Sequence, residues 1–182
     1  GAFRVGPRSA GAAPGPAAYG LGGAEATVTD ANVVLGRIDP ERFLGGEMQL
    51  DRAAAERAVG ALGTRLGLSL LEAAEGIVTI ANANMAGAIR SRTIQKGHDP
   101  RQFALVAFGG AGPMHAAEVA DALGTPEVIV PPFPGITAAT GLLVTGRKYD
   151  QMRTVFMGEG AVDAEAIDRQ VAEISAELRE RL

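Results

Sequence analysis

Phe103-Ala-Leu-Val-Ala-Phe-Gly-Gly-Ala-Gly-Pro-Met-His115 is an apolar run that turns directly into glycines and then into a proline. Six consecutive apolar residues, Phe103 to Phe108, predict a strand buried on both faces. Pro113 suits the first turn of a helix, which then runs from Met114 to about Leu123 and ends at Gly124. A second buried strand, Glu127-Val-Ile-Val130, is stopped by Pro131-Pro132. Strand, loop, helix and strand in that order predict an α/β fold of buried strands packed with helices. The glycines bring bare main chain to a helix N-terminus, where N–H groups attract phosphate or a nucleotide. Gly109, Gly110, Ala111 and Gly112 are therefore candidate cofactor-binding residues; close packing of helix on strand is the structural alternative. No Gly-Lys-Ser/Thr follows, so this is not a Walker loop, and the spacing departs from the dinucleotide fingerprint.

Residues 1–24 are too rich in Gly and Pro for a helix interior and predict extended loop. Thr27-Val28-Thr29 predicts a short strand, with Asp30 capping a helix from Ala31 to about Leu35. Apolar residues from Ala54 to Leu66 recur at helical spacing between Asp51 as cap and Gly67 as stop. Ser69 and Glu72 form a capping-box pair for a long helix running towards Gly97 on the stripe Leu70, Ala74, Ile77, Ala81, Met85, Ile89. Downstream, 135–144 predicts a helix, Arg147–Met157 a strand, and Asp163 the start of a last amphipathic helix. That helix is still running at Leu182, and the opening lies inside a loop, so a portion of a longer chain is expected.

Two candidate catalytic residues emerge. Asp30, with Asn32, sets a carboxylate and an amide at a strand-to-helix junction, a geometry suited to a Mg²⁺-bound water or a reacting amide; helix capping is the plainer role. His115 lies in the first turn beside the glycine loop, where a neutral imidazole can donate to a nucleotide or substrate oxygen, or simply bond a neighbouring loop. His98, in Gly97-His-Asp-Pro100, reads as a turn residue. With only two histidines and no cysteine, three-His metal sites, Ser-His-Asp triads, thiolate sites and disulfides lack material. A net charge of −4 with scattered cations supplies no field for nucleic acid or an anionic membrane. No signal pattern or spanning apolar run is present, so a soluble chain is expected, and the absence of cysteine agrees with a reducing cytoplasm.

The ordered set Arg4-Val-Gly-Pro-Arg-Ser-Ala-Gly11, Pro14-Gly-Pro-Ala-Ala-Tyr-Gly20, Thr27-Val-Thr-Asp-Ala-Asn32 with Leu35-Gly-Arg37, Gly97-His-Asp-Pro100 and Phe108-Gly-Gly-Ala-Gly-Pro-Met-His-Ala116 resembles the hydantoinase A/5-oxoprolinase family. The resemblance implies that residues 1–157 are part of an actin-like (ribonuclease H-like) ATPase domain, with 158–182 starting a C-terminal helical segment. It implies ATP and Mg²⁺ as cofactors, and ATP-driven opening of a hydantoin or 5-oxoproline-type ring. It implies also a second subunit or a homo-oligomer, and adenosine held at Gly109–Gly112. A nucleotide-binding subunit of a ketone carboxylase and a non-catalytic docking domain are the alternatives. Family members usually carry Cys after Pro-Gly-Pro-Ala; Ala18 stands there, so a thiol role at that position cannot operate. The family's upstream phosphate loops are absent from this sequence, so the segment alone is expected neither to hydrolyse ATP nor to open a ring.

Overall fold

A capping box starts the first helix, α1 (Val28–Val34): the Thr27 hydroxyl accepts from the Asp30 N–H, and the Asp30 carboxylate accepts from the Thr27 N–H. The strand expected at 27–29 is thus the cap and first turn of a helix, and Asp30 is its third residue rather than its cap. Two reciprocal hydrogen bonds outweigh a β-propensity that spans only about 1 kcal/mol across the residue scale.

The next two helices follow the sequence pattern. In α2 (Arg52–Leu66) Asp51 accepts from the Ala54 N–H, and Gly67 closes the helix with a left-handed backbone. The Ser69/Glu72 capping box opens α3 (Leu70–Arg92), after which one 3-10 turn carries the chain to Gly97. The break between α2 and the helical run ending at Lys96 bends by 91°. Gly63 permits so tight a corner: a Cβ there would lie 2.9 Å from the Leu68 carbonyl oxygen and 3.2 Å from the Ala73 Cβ.

The computed structural model describes residues 4–156 and 163–181, in two compact units divided between Thr137 and Ala138. In the first unit the main core gathers Ala18, Ala31, Ala55, Ala73 and Ala74 with Val33, Val59, Ile77 and Val78. Alanines at the contacts let α1, α2 and α3 approach closely. A smaller cluster of Ala86, Val119 and Leu123, with Leu105 against it, joins α3 to the strand-helix-strand unit.

That unit has the predicted connectivity. β1 (Ala104–Val106) pairs in parallel with β2 (Glu127–Ile129), Leu105 opposite Val128, and α4 (Gly112–Leu123) makes the crossover. Both strands are shorter than predicted, and they are not buried on both faces. Leu105 and Val128 turn inward, while Phe103, Val106 and Phe108 are about half exposed, at 52%, 50% and 51%. Alternation along each strand shows that only one face is covered. The fold is mixed α/β, rich in helix with one small parallel sheet.

A 3-10 turn at Pro134–Ile136 leads into α5 (Thr137–Val144), whose first residue ends the first unit, and in the second unit α6 (Ala164–Arg181) begins with the Asp163 carboxylate accepting from the Ala166 N–H. The strand expected from Arg147 does not form in the described residues; Met157 lies outside them. Its polar side chains instead bond α6: Arg153 donates to Glu173 and Glu177 at 2.8 and 2.9 Å, and Gln151 to Glu177 at 2.7 Å. No single helix among the described residues is long and apolar enough to cross a membrane.

Candidate functional site

Beyond β1 the chain is held by main-chain bonds, Ala107 N–H to the Ile129 carbonyl at 2.9 Å and Gly109 N–H to the Pro134 carbonyl at 2.8 Å. Gly109 takes φ +82°, a left-handed conformation that favours glycine. Gly110 and Ala111 are exposed; Gly109 and Gly112 are half-buried. A Cβ built on Gly109, Gly110 or Gly112 would meet nothing within 4 Å. No side chain caps α4, and the amides of Gly110, Ala111 and Gly112 have no acceptor among the described residues. No close neighbour among the described residues accounts for these glycines. Beside the loop Gly112, His115, Met85, Ile89, Leu105 and Phe108 line an apolar cleft of about 340 Å³.

His115, 4% exposed, sits in a chain of polar contacts running between three helices. Its Nδ1 lies 2.7 Å from Asn82 Oδ1 on α3, and its Nε2 lies 3.4 Å from Asn32 Nδ2 on α1. An amide oxygen only accepts and an amide NH₂ only donates, so Nδ1 carries the proton and Nε2 accepts. Asn82 donates onward to Glu118, which also accepts from Arg37. Both imidazole nitrogens are engaged inside the protein. Asn32 Nδ2 also donates to the Val28 carbonyl at 2.9 Å, whereas Asn32 Oδ1, buried, has no partner among the described residues.

Burial pushes the His115 imidazole below its ordinary 6.5, and the Arg37 cation pushes the same way against a smaller opposing pull from Glu118. The Arg37 hydrogen bond, ahead of the charge itself, holds the Glu118 carboxyl below its ordinary 4.5. Both folded-state values lie below the unfolded ones, so both contributions to stability are complete at higher pH and lost on acidification. His115's share begins to go as the pH falls through about 6.5, and Glu118's only below about 4.5. Thermal melts between pH 7.5 and 5.5 are expected to show Tm falling with pH in the native protein and a flatter profile in His115→Gln. Parallel profiles would contradict the assignment.

Asp30 is wholly buried, and both carboxylate oxygens are occupied. Oδ1 accepts from the Ala18 N–H at 2.8 Å; Oδ2 accepts from Thr27 N–H at 2.9 Å, the Thr27 hydroxyl at 2.7 Å and Ala17 N–H at 3.3 Å. Asp30 thus clamps a 3-10 turn at Ala17–Tyr19, where extended loop was expected, onto α1. It makes no hydrogen bond to His115; Asn32, two residues on, makes that link. His98 is the expected turn residue: its N–H donates to the Thr93 carbonyl and its ring meets Phe103 edge-on. Among the described residues no group of three or more His, Cys, Asp or Glu side chains gathers where it could hold a metal ion. Asn82 and Glu118 stood in none of the sequence motifs, and Arg37 stood in one without a role assigned to it. Asn82 carried one signal, an amide on the buried stripe of α3 between Ala81 and Ala86.

Comparison with known proteins gives concordant matches. A family model described as Hydantoinase/oxoprolinase matches residues 1–151. Caprolactamase subunit alpha of Pseudomonas jessenii is 42% identical over 183 residues, covering 100% of this chain and 26% of that protein. 5-Oxoprolinase 1 of Arabidopsis thaliana is 37% identical, covering 100% of this chain and 16% of its own length. The crystal structure of the ATP-dependent caprolactamase from Pseudomonas jessenii superposes with a TM-score of 0.73 at 41% identity, over 97% of this chain and 25% of that one. A nucleotide-free acetone carboxylase, from work on ATP-dependent acetone carboxylation, superposes with a TM-score of 0.71 at 35% identity, over 77% of this chain and 20% of that one. The chain spans about a quarter of the length of the first relatives it matches, 26% in each case.

Proposed function

The chain belongs to the hydantoinase/oxoprolinase family, and from that membership we propose that it is part of an ATP-dependent enzyme that opens cyclic amides, with the nucleotide resting on residues 109–112. One observation carries the proposal: at an uncapped helix start, three main-chain amides without an acceptor among the described residues face space that no side chain of those residues fills. Such a place suits an anionic ligand, and the adjoining apolar cleft suits a flat base. The strand-loop-helix-strand unit is, on this reading, a piece of an actin-like ATPase domain occupying residues 1–157, with 158–182 leading into the next segment.

ATP has a clear chemical use in this reaction. Amide resonance makes the ring carbonyl a poor electrophile; a phosphoryl group passed from ATP to the carbonyl oxygen, with release of ADP, opens the carbon to attack by water, after which the ring C–N bond breaks with a proton going to nitrogen, and a second water hydrolyses the acyl phosphate to carboxylate and phosphate. The residues described here gather no metal site, so Mg²⁺ would be held by the nucleotide phosphates and groups outside this chain. In our proposal Asp30 and His115 act by position. Both are buried with their polar atoms engaged, one fixing the turn at Ala17–Tyr19, the other tying α4 to α1 and α3. A second subunit is part of the proposal, supported by the relative named as a subunit alpha; a cytoplasmic setting is the compartment it assumes.

Gly110→Asp tests the nucleotide site. Its Cβ meets nothing within 4 Å and its φ is not left-handed, so the fold should stand, while a carboxylate placed against phosphate repels it. ATP binding by calorimetry on the whole protein should weaken at least about tenfold, roughly 1.4 kcal/mol. Equal affinity in the two proteins would remove the nucleotide from this loop. The acetone carboxylase likeness favours a second reading, ATP-dependent carboxylation of a ketone. ATP hydrolysis stimulated by a hydantoin or 5-oxoproline supports the first; stimulation by bicarbonate plus a ketone supports the second.

A further inference from the structure

A second cavity, of about 450 Å³, lies between the loop of residues 4–11 and the start of α1. We propose that it receives the ring to be opened, with the Arg4 guanidinium holding an oxyanion on that ring; the proposal rests on the cyclic-amide reading above. The volume falls in the range of small-molecule sites. Val5, Val28, Leu62 and Ile77 give it an apolar side suited to ring methylenes. Six polar side chains line it, and four are already used. Arg8 pairs with Glu25, Ser9 Oγ accepts from the Gly11 N–H, and the Thr27 hydroxyl donates to Asp30.

The Arg4 side chain and the Thr29 hydroxyl remain, neither with a partner among the described residues. A planar guanidinium is a five-donor fork that matches the two oxygens of a carboxylate or phosphoryl group. The one carboxylate on the wall, Glu25, is neutralised by Arg8. The cavity therefore takes an oxyanion and disfavours a cation. The ligand class is a small ring with an apolar body that carries a carboxylate, or acquires phosphoryl oxygens during the reaction.

Position supports the assignment. Pro16, just ahead of the turn that Asp30 clamps, lines the cavity. Ile77 of α3 lines it as well, and Met85 of the same helix lines the cleft beside the glycine loop. Eight residues of helix separate those two positions, about 12 Å at 1.5 Å per residue. One helix thus carries a lining residue of each cavity.

Arg4 is exposed, so Arg4→Ala should leave the fold intact; Thr29→Val, nearly isosteric, is the second variant. In the whole protein, binding of 5-oxoproline, hydantoin and inorganic phosphate is measured by calorimetry, alongside ATP hydrolysis stimulated by each ring. At least tenfold weaker binding of 5-oxoproline to Arg4→Ala, with hydantoin unchanged, assigns the oxyanion to a ring carboxylate. Equally reduced kcat with both rings, weaker phosphate binding and an unchanged KM for ATP assign it to the phosphoryl group. Either result supports the site. Wild-type behaviour of both variants overturns it, as does failure of the native protein to bind any of the three probes while still binding ATP. Unchanged ATP affinity in Gly110→Asp, with 5-oxoproline binding still weakened in Arg4→Ala, would instead sink the nucleotide proposal and leave this cavity standing.

Discussion

Asp30→Ala is expected to destabilise the protein by about 3–5 kcal/mol, the sum of two or more buried donors left without an acceptor at about 1–3 kcal/mol each. The amides of Ala17, Ala18 and Thr27 all donate to this carboxylate, and the site has no exposure through which water could replace it. The helix start fails with it, because the capping box loses one of its two members. Asp30→Asn keeps the shape but turns one amide group towards N–H donors, and should cost roughly 2 kcal/mol. Urea denaturation measures both, with Asp121→Ala, at an exposed site on α4, as a control expected to shift stability by no more than about 0.5 kcal/mol. A loss at Asp30 no larger than the control's would show that the turn is not held by this residue.

Gly23→Ala should cost about 3 kcal/mol through crowding alone. A Cβ on Gly23 would stand 2.1 Å from the Gly15 carbonyl oxygen and 3.0 Å from that of Pro16. Neither obstacle is a side-chain tip that can swing aside; both are main chain just ahead of the turn that Asp30 clamps. Overpacking of this kind usually costs about 1–3 kcal/mol, and the upper end applies because the backbone itself must shift. Gly110→Ala is the matched comparison, since its Cβ enters open space. Equal melting temperatures for the two alanine variants would refute the close approach.

What the sequence made legible was local. The caps at Asp51, Gly67, Ser69, Glu72, Gly124 and Asp163 act within a few residues of themselves, and each stands where the pattern put it. The strand-helix-strand order was legible too, and it supplies the long crossover that the observed parallel pairing needs. Thr27-Val-Thr29 misled because a reciprocal hydrogen-bond pair three residues apart overrode side-chain preference. The run from Phe103 to Phe108 misled differently: apolar composition reports what a surface could bury, while Phe103, Val106 and Phe108 remain half exposed. Of the site, the glycine loop was visible because its chemistry is contiguous. The Arg37, Glu118, Asn82, His115, Asn32 chain was not, because its members come from separate elements as much as 83 residues apart.

The alanine-lined contacts of α1, α2 and α3 bear on how the protein can move. A methyl group has no χ angle that selects among rotamers, so a seam built on Ala31, Ala55, Ala73 and Ala74 holds few alternative arrangements of nearly equal energy. These three helices should then travel as one casting whenever a ligand arrives, and the give must come from the Gly- and Pro-bearing segments that border them.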